Sequence, residues 1–82
     1  MIEANTIVER IQAALPGAQV QVHDLTGTMD HYKAVVISDQ FAGKSLVARH
    51  RAIYQALAEE MKGPIHALTL DVYTPEEWDA LG

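Results

Sequence analysis

"KSLVARHRAIYQALAEEMKGPIHALTLDVYTPEEW", residues 44–78, decides the fold. Ser45 can cap a helix running from about Leu46 to Met61, and Gly63-Pro64 stops it. Residues 65–73 then alternate as a strand, with His66, Leu68, Leu70 and Val72 on one face. On a helical wheel started at Leu46, Leu57, His50, Met61 and Tyr54 fall within about 80° of it, with Ile53 just on the other side. That arc is the expected buried face. "TPEE" reads as a second helix start: Thr74 as cap, Pro75 at the first helical position, and Glu77 placed to reach back to the cap. Trp78 is expected to anchor this last turn.

Upstream, Ile7, Ile11 and Leu15 recur at helical spacing, so a helix is expected from about Asn5 to Leu15, where Pro16-Gly17 ends it. "AQVQVHDL" (18–25) alternates Val20 and Val22 against Gln19, Gln21 and His23, the period of a half-buried strand. "TGTMD" (26–30) supplies a turn in which Gly27 is free to take positive φ. "HYKAVVIS" (31–38) is β-branched and aromatic, so the two strands should form an antiparallel hairpin. The long helix that follows suits a crossover to a parallel third strand. The expected fold class is α+β: a small mixed three-stranded sheet covered by helices, in the order helix, strand, strand, helix, strand, helix.

A chain of 82 residues, 49% of them apolar, fits one domain with a single modest core, spanning 1–82. There is no apolar run of membrane-spanning length and no basic-then-apolar leader, so a soluble, cytoplasmic protein with no membrane role is expected. The absence of cysteine excludes a disulfide frame, a thiol nucleophile and any metal centre held by the chain's own thiolates. The net charge of −5 is uneven: −3 over residues 1–30, +2 over 31–62 and −4 over 63–82. Only the middle, with Lys33, Lys44, Arg49, Arg51 and Lys62, suits weak contact with a polyanion or an acidic partner.

The histidines at 23, 31, 50 and 66 are the unusual titratable residues. His50 lies in the expected apolar arc and reads as a core histidine with a satisfied hydrogen bond. Arg49 and Arg51 flank that arc on opposite sides, which suits solvated or ion-paired side chains better than one phosphate clamp. His66 opens a strand after a Gly-Pro break, so its ring can sit at the sheet's rim, either packing or meeting a partner. His31 and His23 flank the hairpin loop. No nucleophile elbow, phosphate loop or facing carboxylate pair is present, so catalysis is not expected.

Residues 31–78 carry three separately unusual blocks, "RHRAIY", "IHALTL" and "TPEEW", whose order and spacing resemble the BolA family. The resemblance implies a fold similar to a type II KH domain. It also implies an accessory protein that pairs with a monothiol glutaredoxin and shares a bridged [2Fe-2S] cluster with it and glutathione, acting in iron-sulfur trafficking or iron-responsive regulation. In such a pair the partner side brings the thiolates, and the histidine matched here by His66 ligates iron. Imidazole in place of thiolate raises a cluster's potential. The loop between the first two strands lacks the cysteine or histidine that the family carries there, which leaves His31 as first choice for a second ligand and His23 as second.

The same resemblance implies a rival role, a nucleic-acid-binding transcriptional regulator with a helix-turn-helix-like arrangement around "DQFAGKSLVARHR". Lys44, Arg49 and Arg51 would make the contacts. The net charge, the separated arginines and the single glycine of "FAGKS", where KH domains use a GXXG loop, count against it. An unpaired sheet edge also admits a homodimer.

Overall fold

Each stop and start signal of the second half is used. In the computed structural model, which describes residues 2–82, Ser45 Oγ accepts the Ala48 N–H at 3.2 Å and opens α2, Leu46–Ala56. Thr74 Oγ1 accepts the Glu77 N–H at 3.2 Å while Glu77 Oε1 accepts the Thr74 N–H at 2.8 Å, a reciprocal cap that starts α4, Pro75–Leu81. The other elements are α1 (Ala4–Ala14), β1 (Gln19–Asp24), β2 (His31–Ile37), a 3-10 turn (Asp39–Phe41), α3 (Ala58–Met61) and β3 (Ala67–Tyr73).

The sheet has the order β1-β2-β3, with β1 antiparallel and β3 parallel to β2. Asp24 is opposite Tyr32 in the hairpin, and His31 is opposite Ala67 across the parallel pair. Period-two alternation places Tyr32, Ala34 and Val36 with Leu70 and Val72 on one face, all buried. Ile7 and Ile11 of α1, Ile53 of α2, and Leu57 close over that face with Phe41 and Ile65. On the opposite face Gln21, His23, Lys33, Thr69 and Asp71 stay exposed or half-buried, with Lys33 Nζ 3.1 Å from Asp71 Oδ2, and Ile37 at the far end of β2 is buried. This is the α+β, three-stranded mixed sheet expected, with α1 and α2 packed on one face and Trp78 of α4 against Tyr73, 5.4 Å between ring centres.

Two features of the long helix differ from expectation. The run breaks at Leu57, where φ −108° and ψ 20° leave the helical well and separate α2 from the single turn of α3. Leu57 N–H still bonds Ile53 O at 3.1 Å and Met61 N–H bonds Leu57 O at 2.9 Å, so the hydrogen-bond path continues through the interruption.

The buried face is also rotated. Arg49, Ile53 and Leu57, an i, i+4, i+8 row, turn inward, whereas Leu46 is 62% and Tyr54 40% exposed and His50 is only half-buried. The reason is that Arg49 is fully satisfied inside. Its Nε donates to Lys44 O at 3.0 Å, its terminal nitrogens donate to the two Glu77 oxygens at 2.6 and 3.2 Å, and its guanidinium carbon lies 5.7 Å from the centre of the Phe41 ring. A paired, hydrogen-bonded guanidinium tolerates burial that an unpaired one does not. His50 is therefore not the core histidine expected from the wheel.

Candidate functional site: a histidine pair at the rim of the sheet

The rim is built by the hairpin loop and the entrance to β3. Asp24, at the end of β1, accepts three loop amides: Thr26 at 3.3 Å and Gly27 at 2.9 Å on Oδ1, and Met29 at 3.0 Å on Oδ2. Gly27 takes φ +76°, as expected, and Met29 also has positive φ, 60°. A side chain in that region costs about 1 kcal/mol, so the aspartate's three bonds hold a turn the backbone would not otherwise choose. Thr28 Oγ1 then donates to Asp30 Oδ1.

Asp30 is where hairpin and third strand meet. Its carbonyl oxygen accepts the N–H of His66 at 2.8 Å and of Ala67 at 3.2 Å, fixing the start of β3. Its carboxylate lies 2.8 Å from His31 Nδ1, within hydrogen-bond distance, and 3.7 Å from His66 Nε2, too long for a hydrogen bond. The Thr28 hydroxyl, and after it the His31 ring, hold the Asp30 carboxyl below the usual carboxylate range.

His31 and His66 thus stand together, ring centroids 5.9 Å apart and nearly edge to face. Their side chains are 41% and 66% exposed, so both can reach a second molecule. His23, also exposed, stands opposite Lys33 on the open face, two residues along β2 from His31. No cluster of three or more metal-binding side chains occurs among the described residues. Two outward imidazoles are an incomplete donor set by themselves and one that fits a metal centre completed by another molecule.

The basic candidates are dispersed. Arg49 is buried in its pair with Glu77 and is removed from any surface role, and that pairing holds the Glu77 carboxyl down to about 2. Lys44 and Arg51 are exposed. Lys62 Nζ lies 3.4 Å from Glu59. Asp30 was not among the residues singled out from sequence; its position next to His31 was the available signal.

The BolA-like protein family model matches residues 9–77. The chain is 38% identical over 88 residues to the protein named DNA-binding transcriptional regulator BolA of Escherichia coli, covering 99% of this chain and 84% of that one. It is 47% identical over 58 residues to the Haemophilus influenzae protein of the same name, covering 71% of this chain and 56% of that one, so the chain spans little more than half of that relative. The crystal structure of a Bol-like protein from Babesia bovis superposes with a TM-score of 0.86 at 35% identity, over 99% of this chain and 94% of the other. BolA proteins are regulators and accessory proteins, not enzymes. Fold, element order and the matched span agree: the chain belongs to the BolA family.

Proposed function

We propose that this chain is an accessory protein that docks onto a monothiol glutaredoxin through the rim formed by the hairpin loop and the entrance to β3, and presents His66 and His31 to a [2Fe-2S] cluster shared with that partner and glutathione. The observation that carries the reading is the pair of exposed imidazoles 5.9 Å apart on a chain without cysteine. When bound, such a cluster supplies iron and sulfide for transfer, or a sensor of iron supply. The chain's own part is narrower. His66 and His31 offer nitrogen donors, Asp30 bonds the His31 ring and the backbone of His66, and the Asp24-braced loop keeps the rim rigid enough for a partner to meet it without reordering.

The test is a titration of the protein into cluster-loaded monothiol glutaredoxin with glutathione, followed by visible circular dichroism. A change saturating at one-to-one stoichiometry and lost in His66→Ala supports the reading. An unchanged spectrum contradicts it.

A second reading is favoured by the names of the bacterial relatives, DNA-binding transcriptional regulators. Here Lys44 and Arg51 would make the phosphate contacts, without Arg49. Fluorescence anisotropy with duplex DNA at two salt concentrations separates the readings, because phosphate contacts give an affinity that falls steeply with salt.

A further inference from the structure

We infer that Asp30 is the positioning residue of the rim: it fixes the backbone at His66 and holds His31 as the Nδ1–H tautomer so that Nε2 carries the outward lone pair. This rests on the proposed role of the histidine pair and deepens it. The geometry that carries it is the placement of one residue's two polar ends, the carbonyl on the backbone that starts β3 and the carboxylate beside both rings. The main-chain carbonyl of Asp30 fixes the backbone of His66 and Ala67, at 2.8 and 3.2 Å. The carboxylate sits 2.8 Å from His31 Nδ1 and 3.7 Å from His66 Nε2.

At neutral pH a carboxylate only accepts hydrogen bonds, so the proton in the contact with His31 belongs to the ring nitrogen. A neutral imidazole holding its proton on Nδ1 has none on Nε2. His31 is therefore set to donate a lone pair on the side away from Asp30. Carboxylates that accept the second N–H of a ligating imidazole fix its orientation and raise its basicity.

Asp30 is itself held from behind. Thr28 donates to the same Oδ1, and the loop carrying Thr28 is braced by the three amides bonded to Asp24. His66 differs: its Nε2 faces the carboxylate beyond hydrogen-bond range, so Asp30 fixes its backbone and local charge and leaves its ring able to turn.

The experiment uses the chain without partner, labelled with ¹⁵N-histidine, at a pH where imidazoles are neutral, and reads the two ring-nitrogen shifts of each histidine by long-range ¹H–¹⁵N correlation. The wild type should show His31 mainly as the Nδ1–H form. Asp30→Ala should return it to the Nε2–H form that a free histidine side chain prefers, and Asp30→Asn, whose side-chain oxygen can still accept, should retain most of the Nδ1–H form. The same variants are then titrated against cluster-loaded glutaredoxin, where Asp30→Ala should weaken binding by about 10–100-fold. A wild-type His31 in the Nε2–H form, or a tautomer indifferent to Asp30→Ala in a variant with native amide shifts, overturns the inference. Absence of any cluster response in the wild type overturns the functional reading on which it rests, while the tautomer result continues to report on Asp30 alone.

Discussion

Truncating two apolar residues of α2, Ile53 and Leu46, tests the rotated packing of that helix. Ile53 has no exposed surface and stands between Arg49 and Leu57 in the buried row, whereas Leu46 is 62% exposed. Ile53→Ala removes buried methyl groups from a core that cannot fully collapse around the gap, at a cost of about 2–5 kcal/mol. A domain of this size has a total stability of roughly 4–12 kcal/mol, so the loss takes a large share of it. At about 4–8 °C per kcal/mol, a loss near 3 kcal/mol lowers Tm by roughly 12–24 °C. Leu46→Ala removes a side chain already in water and should change stability by no more than about 0.5 kcal/mol. Thermal and urea unfolding followed by far-ultraviolet circular dichroism measure both. Equal losses for the two variants, or a greater loss for Leu46→Ala, would refute the orientation of α2 and with it the inward placement of Arg49.

Other outcomes follow from the caps, charges and surface. Thr74→Ala removes the hydroxyl that caps α4 and should cost about 1 kcal/mol in urea unfolding, with native secondary structure retained. Glu77, ordinarily near 4.5, is held at about 2 by Arg49 in the folded chain, so its contribution to stability is fully present above pH 4.5 and lost as pH falls through about 2. The stability gap between wild type and Glu77→Gln should therefore narrow from pH 4.5 to pH 2 in urea titrations, and a gap that stayed constant would contradict the pairing. If the surface cations serve nucleic acid, Lys44→Ala and Arg51→Ala should each weaken binding and reduce its salt slope by about one ion. If they do not, both variants should bind glutaredoxin and its cluster with the wild-type spectrum.

The parts of the fold legible in the sequence were those written in local chemistry. Thr74, Pro75 and Glu77 specify a helix start through bonds within four residues, and the structure contains both halves of that cap. Val20 and Val22 against Gln19, Gln21 and His23 give the strand period directly, and Gly27 gives the turn. The orientation of α2 was not legible, because hydrophobic periodicity assigns every arginine to water. Arg49 goes inward through bonds to Glu77, 28 residues away, and to Lys44 O, and neither partner is marked in a local pattern. The break at Leu57 has no glycine or proline to announce it.

The rim was legible in part. A histidine after Gly63-Pro64 and another at the hairpin exit were visible as candidates, and the parallel pairing of β2 with β3 brings His31 and His66 together. Asp30 escaped notice because its role depends on that long-range pairing: its carbonyl bonds β3 and its carboxylate faces both rings only once the strands are aligned.

The most direct measurement of the histidine pair is pulsed electron-nuclear spectroscopy of the reduced complex with monothiol glutaredoxin, prepared with ¹⁵N-histidine in this chain alone. Two nitrogen couplings of imidazole magnitude should appear, one disappearing in His66→Ala and the other in His31→Ala. A cluster spectrum showing no coupling to this chain's nitrogens would contradict the shared site.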